Sequence, residues 1–260
     1  VLRRDANAGR LLTAAVAAVP ALVAAAHAGP AGTWLAGPRR ALLPALAGIG
    51  TPHHVALTFD DGPDPNSTPA FLAALDELAL RATFFVVGEH LLSHRRLGQD
   101  IVRRGHELAV HGWTHERPWW PAPRREARQL ARAAHAVAEV SGTRPTWYRP
   151  PYGILTGDRL LAARRTGLRP VLWTAWGRDW TAHATAESVV TTVLTDLRGG
   201  GTVLLHDSDR HAAAGCWRAA LAALPGVVAA CRAAGLTVGP LGEHGLTGRA
   251  GSSHVRQPRR

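Results

Sequence analysis

From residue 55 to residue 241 short apolar runs alternate with longer helical patterns, and this alternation constrains the fold more than any other feature of the chain. Val55 to Phe59, Ala82 to Val87, Glu107 to Val110, Pro145 to Tyr148, Pro170 to Ala175, Thr202 to Leu205 and Leu236 to Val238 read as strands. Ser67 or Thr68 is placed to cap a helix with Pro69 in its first turn, and Phe71, Leu72, Leu75 and Leu78 form its apolar face. Further helices are expected up to Arg104 before Gly105, from Glu126 to Val140, from Gly157 to Thr166, from Glu187 to Leu197 and from Trp217 to Ala234. Repeated strand–helix units call for parallel strands joined by right-handed crossovers. About seven strands favour an α/β barrel, although an open doubly wound sheet carries the same signature.

Polar clusters follow five of the strands. Asp60-Asp61 follows the first, and His111 with His115 follows Glu107 to Val110. Arg149 to Gly153, Asp179-Trp180 and His206-Asp207 follow three of the later runs. In α/β barrels the C-terminal ends of the strands share one face, where active sites assemble, so clusters distant in sequence should converge.

His111 and His115 are four residues apart, a spacing that can aim two imidazoles at one ion. In a chain with 14 His such a pair also arises by chance. A carboxylate from Asp60 or Asp61 completes a two-His, one-carboxylate set of the kind that leaves positions open for water and substrate. Adjacent carboxylates repel unless a cation neutralises them. Read alone, Thr58-Phe59-Asp60-Asp61-Gly62-Pro63 is equally a polar turn.

Taken together, Thr58 to Pro63, His111 to His115, Arg149-Pro150-Pro151-Tyr152-Gly153, Asp179-Trp180 and Leu204-Leu205-His206 resemble the ordered motifs of the polysaccharide deacetylases, the NodB-homology group or carbohydrate esterase family 4. The resemblance implies a distorted (β/α) barrel of about seven parallel strands over residues 51–242. It implies that Asp60 is the general base, held by Arg149, and that Asp61, His111 and His115 bind a divalent metal. Zinc suits this set, and cobalt or nickel also fits it. His206 would be the general acid, oriented by Asp179, and the backbone N–H of Tyr152 would stabilise the oxyanion. Trp180, Leu204, Pro150 and Tyr152 would contact substrate. Two positions depart from the family pattern: Gly112 replaces a Ser or Thr, and Trp176 stands where an Asp is common.

The formal charge of +11 comes entirely from Arg, since the chain has no Lys. No nucleic-acid motif accompanies it, and the charge reads as solvated surface, with no nucleic-acid partner expected. Arg3, Arg4 and Arg10, an apolar run from Leu11 to Ala26 and the Ala26-His27-Ala28 site describe a signal peptide. Because Trp34, Leu35 and residues 41–49 stay apolar, a membrane anchor and leader over 1–50 is the alternative, and an Ala-rich helix packed on the domain is a third reading. Either of the first two places the domain outside the cytoplasm, secreted or anchored, in association with membrane or cell wall. Residues 243–260 read as a disordered basic tail. Cys216 and Cys231 read as buried small hydrophobes, with a disulfide open only if Pro225 breaks the helix between them. His53, His54, His135, His183, His211 and His244 have no partner at informative spacing and read as surface residues; Asp207 reads as a strand-end acid. Trp119-Trp120 are placed either to stack on sugar or to anchor a loop.

The expected activity is therefore N-deacetylation of a GlcNAc-containing glycan, of peptidoglycan or chitin type. O-acetyl esterase activity on xylan-type glycans and a non-catalytic glycan-binding relic are the alternatives. The intact set of Asp60, Asp61, His111, His115, Arg149 and His206 disfavours the relic, because binding alone needs neither a free base nor an acid.

Overall fold

A computed structural model describes residues 19–246. The basic residues and the first half of the apolar run of the expected signal segment, and residues 247–260 of the expected tail, lie outside the described residues.

Eight parallel strands form one sheet: β1 (His54–Asp60), β2 (Thr83–Val86), β3 (Glu107–Val110), β4 (Trp147–Tyr148), β5 (Arg169–Pro170), β6 (Ala175–Trp176), β7 (Thr202–His206) and β8 (Thr237–Gly239). The order is β5-β4-β3-β2-β1-β7-β6, with β8 paired to the first residues of β1, which β2 does not reach. The two edge strands are consecutive in the chain. Laid flat, the seven-strand path would separate its edges by roughly 29 Å at the usual inter-strand spacing, whereas the link from Pro170 to Ala175 spans at most about 18 Å. The sheet must curl, and it forms the expected distorted barrel.

Helices cover the outside: α1 (19–28), α2 (Ala36–Leu42), α3 (Thr68–Glu77), α4 (Gly88–Ser93), α5 (Arg95–Arg103), α6 (Pro123–Ser141), α7 (Gly157–Thr166), α8 (Ala186–Asp196) and α9 (Trp217–Ala233). Every residue of β1 is buried, as befits a central parallel strand covered on both faces. Val55, Leu57 and Phe59 pack with the helical layer, together with Phe71, Leu72 and Leu75 of α3. Ala56 points the other way, with Phe85, Ala109, Trp147, Val171, Leu241 and Leu246. Alternation along the strand then puts Thr58 and Asp60 on this inner side.

Several expectations are corrected. The single strand expected over Pro170 to Ala175 is two short pieces on opposite sheet edges. Pro170 lacks an N–H for a continuing ladder, and the carbonyls between the pieces are taken by arginine side chains. Arg149 donates from Nη2 to Leu172 O at 3.0 Å, Arg39 from Nη2 to Trp173 O at 2.8 Å, and Arg40 to Thr174 O. Ser67 occupies the N-cap of α3 but does not cap it; its hydroxyl donates to Asp207 O at 2.5 Å, while Thr68 donates to Asp207 Oδ2. Pro225 sits inside α9 without ending it, and Cys216 and Cys231 are free and buried at the two ends of that helix.

The termini are more integrated than expected. Residues 29–49 lie against the barrel: Leu172 N donates to Leu46 O at 2.7 Å, Thr202 Oγ1 to Gly48 O at 2.7 Å, and His27 is buried against Asp158 and Pro118 O. Burial against the barrel begins at His27, whereas residues 19–26 of the helix before it are exposed. Among the described residues no helix is long and apolar enough to cross a membrane. At the other end His244 and Leu246 are buried, so packed structure continues past residue 242. His54 and His244, expected at the surface, are buried and joined Nδ1 to Nδ1 at 2.8 Å.

Candidate active site

Parallel register brings the polar clusters together. Asp60 pairs with His206 across β1 and β7, and Val110, just before His111, pairs with Tyr148, just before Arg149. All five clusters meet around a cavity of about 710 Å³ whose lining includes Asp60, Asp61, His111, His115, Tyr152, Trp180, Leu204 and His206. Pro150 is buried and is not among the residues that line the cavity.

Asp61 Oδ1 stands 3.3 Å from His111 Nε2 and 3.2 Å from His115 Nε2, and the donor atoms of the three residues lie within 4.8 Å of one another. That oxygen is buried and makes no aligned hydrogen bond. A buried carboxylate oxygen left unpaired is costly, and a shared cation would satisfy it. Burial opposes charge on Asp61, but the His111, His206 and His115 imidazoles hold its carboxyl well below the usual carboxylate range. His111 Nδ1 contacts Arg149 O at 2.8 Å, which leaves Nε2 bare and turned to Asp61 when Nδ1 carries the proton. Burial lowers His115 to about 3, which keeps the imidazole neutral, the form that can bind a metal. The residues therefore fit one divalent ion. Asp61 itself sits at φ +80°, a strained conformation for a non-glycine residue.

Asp60 is held differently. Arg149 Nη1 donates to Asp60 Oδ1 at 2.7 Å and to Thr58 Oγ1 at 2.8 Å. The guanidinium is fully buried and lies over the Phe85 ring at 4.0 Å. One carboxylate oxygen of Asp60 is thus pinned, and Oδ2 stays 3.8 Å from His111 Nε2. Thr58 lies two residues before Asp60 on β1, and strand alternation places both under Arg149.

Across the cavity Asp179 grips His206 twice. Oδ1 lies 3.0 Å from Nδ1, and Oδ2 accepts the backbone N–H at 2.7 Å. Burial works against protonation of His206, but the Asp179 charge and hydrogen bond outweigh it, with Asp61 and Asp60 adding, and lift the imidazole to about 10. Trp180 meets the His206 ring edge-on at 5.6 Å. Tyr152 sits at φ +61°, and the described residues offer its N–H no backbone acceptor.

The two departures have local reasons. Gly112 is at φ +111°, where a side chain would be strained, and a Cβ would stand 3.1 Å from Thr114 O. Trp176 joins Trp173 and Trp180 in an aromatic row, with centroids 5.7 Å and 5.1 Å apart.

Two residues near the site have roles that spacing did not reveal. His211, expected at the surface, lines the cavity and stacks on His115 at 4.1 Å and on His90 at 5.5 Å. It compensates for a gap, because His115 Nδ1 is buried without a hydrogen-bond partner and the ring is held between Tyr152 and His211 instead. The loop carrying His211 is pinned by Arg210 Nε on Asp64 Oδ2 at 2.8 Å and by Ala213 N on Trp180 O at 3.1 Å. Asp207, expected as an ordinary strand-end acid, lies buried behind the Asp61 turn, and burial pushes its carboxyl up to about 7. A Cβ on Gly62 would strike it.

Comparison with known proteins agrees with this geometry. Residues 47–171 match the family model described as polysaccharide deacetylase. The chain is 40% identical over 162 residues to a chitooligosaccharide deacetylase of Rhizobium leguminosarum bv. phaseoli, covering 62% of this chain and 70% of the relative. It is 31% identical over 177 residues to the peptidoglycan-N-acetylglucosamine deacetylase PgdA of Listeria monocytogenes, covering 68% of this chain and 37% of that one. A solved peptidoglycan N-acetylglucosamine deacetylase superposes with a TM-score of 0.70 at 25% identity, over 77% of this chain and 92% of the other. With motifs, barrel and relatives in agreement, the chain belongs to the polysaccharide deacetylase family.

Proposed function

We propose that this protein is a zinc-dependent hydrolase that removes N-acetyl groups from GlcNAc-containing oligosaccharides or polysaccharides. The observation that carries the reading is the unpaired, buried Asp61 oxygen facing two imidazoles, with a second carboxylate held apart beside it. The named activities of the relatives support the substrate class.

An amide needs an activated nucleophile and a proton for its leaving nitrogen. A divalent ion held by Asp61, His111 and His115 supplies Lewis acidity toward water and the acetyl carbonyl. Asp60, fixed through Oδ1 by Arg149, accepts the proton of the attacking water on Oδ2. His206, held at Nδ1 by Asp179, presents Nε2–H to the departing amine as the C–N bond breaks. Its lifted pKa keeps that proton in place at neutrality. The Tyr152 N–H, at a strained backbone position, is offered to the carbonyl oxygen as charge develops there. Trp180 and Leu204 line the place of the acetyl methyl group. Action on a cell-surface glycan, outside the cytoplasm, belongs to the same proposal and is supported by the basic-then-apolar pattern of the first 26 residues.

The test is acetate release from chitooligosaccharides, with acetylated xylan in parallel, before and after chelation and after zinc is restored. Release from the chitooligosaccharides that stops on chelation and returns with zinc is expected. Release from xylan alone would identify an O-acetyl esterase, and release indifferent to chelator would end the metal reading.

A further inference from the structure

The cleft is larger than the chemistry requires. An acetamide needs room for a few atoms beside Asp61, yet the cavity encloses about 710 Å³, within the roughly 300–1,000 Å³ range of whole small-molecule sites. The additional space follows the indoles of Trp180, Trp176 and Trp173 away from His206 and reaches Trp34, which comes from the N-terminal segment.

Trp34 differs from the other indoles of the lining. It is 51% exposed, whereas Trp173 is buried and Trp176 and Trp180 are half-buried. Its backbone is nevertheless fixed. Buried Arg39 donates from Nη1 to Thr33 O at 2.7 Å and to Trp34 O at 3.1 Å, and from Nη2 to Trp173 O. Gly153 lies between the two indoles: a Cβ there would stand 2.7 Å from Trp173, too close for a side chain, and 3.5 Å from Trp34, an ordinary contact. A large apolar side chain left half in water gains little from folding. An indole held by its backbone, with free surface turned into a cleft, has lost its freedom before any ligand arrives. Its electron-rich face suits the C–H face of a neutral pyranose ring, whose hydroxyl edge stays in water.

We infer that Trp34 forms a sugar-binding subsite for a ring neighbouring the one that is deacetylated, so that the N-terminal segment sets the preference for longer chains. This rests on the reading of the protein as a glycan deacetylase and specifies how its substrate is held. Trp34 is a binding residue here and takes no part in the chemistry.

The experiment compares kcat/KM on the GlcNAc dimer and pentamer for wild type, Trp34→Ala, Trp34→Phe and Leu42→Ala. In Trp34→Ala the pentamer-to-dimer ratio should fall roughly tenfold, through KM, because uniform binding is removed. Trp34→Phe should retain part of the preference. Leu42→Ala, on the same segment, 77% exposed and outside the cleft lining, should keep the wild-type ratio. A wild-type ratio in Trp34→Ala overturns the subsite, and an equal fall in Leu42→Ala shows general loosening of the segment and overturns it too. Calorimetric titration of the metal-free protein with the pentamer separates this inference from the catalytic reading. If wild type binds the sugar and Trp34→Ala binds it more weakly, the subsite stands even where no acetate is released. Equal binding by the two, or none by wild type, removes it.

Discussion

The strand-end cluster and the seam of the barrel are built by opposite means. At the strand ends, Asp60, Asp61, His111, Arg149 and His206 are delivered by parallel strands whose register leaves little choice of position. At the seam, between β5 and β6, no strand is available, and the carbonyls of Leu172, Trp173 and Thr174 are taken by Arg149, Arg39 and Arg40. The first region places chemistry on a rigid sheet. The second fills a gap with long side chains reaching from elsewhere in the chain. Arg149 belongs to both: the guanidinium that pins Asp60 also closes the seam through Leu172 O, so the position of Asp60 and the closure of the barrel depend on one buried side chain.

The largest expected effect breaks the strand-end cluster. His111→Ala should remove both bound metal and turnover, read by metal analysis of the purified protein and by acetate release. Turnover in a protein without metal would show that the cluster is not the site.

Smaller losses separate acid from base. His206→Ala should lower the rate by about 10²–10⁴-fold. The His206 pKa is raised to about 10, so the proton-donating form persists through neutrality and activity is lost as pH rises through that value. Asp179→Asn removes the main charge that raises it, so the alkaline limb of kcat/KM should move to lower pH. An alkaline limb unmoved in Asp179→Asn would separate the limb from His206.

His211→Ala removes the ring that braces His115 in place of a hydrogen bond. Zinc affinity should fall by about 10–100-fold, as for other groups that orient a ligand, and His211→Phe should restore most of it. Calorimetric zinc titration reads both variants, and an unchanged affinity in His211→Ala would leave His115 held by Tyr152 alone. The seam is touched most lightly by Arg39→Gln, which should lower unfolding free energy by about 2 kcal/mol while one equivalent of zinc still binds. Loss of zinc in that variant would mean that seam and cluster are not separable.

The same contrast explains what the sequence made legible. Asp60-Asp61, the His111–His115 spacing and Arg149 each follow an apolar run, and strand geometry converts that position into a shared face. Period and punctuation also located most helices, with Gly105 and Gly142 marking two ends by positive φ. Contacts of long reach carry no such signal. Arg39 meets Trp173 across 134 residues, His54 meets His244 across 190, and neither pair has a spacing to recognise. His211 was invisible because ring stacking has no sequence period. The run from Pro170 to Ala175 reads as a strand from its β-branched and aromatic residues, yet tertiary closure of the barrel divided it.

Zinc titration of Asp60→Asn beside Asp61→Asn tests the central claim most directly, since the two side chains are adjacent in sequence and assigned different work. Asp60→Asn should bind one equivalent of zinc with near wild-type affinity and release no acetate, while Asp61→Asn should fail to hold the ion. Zinc retained by Asp61→Asn, or lost from Asp60→Asn, would contradict the division of labour on which the account rests.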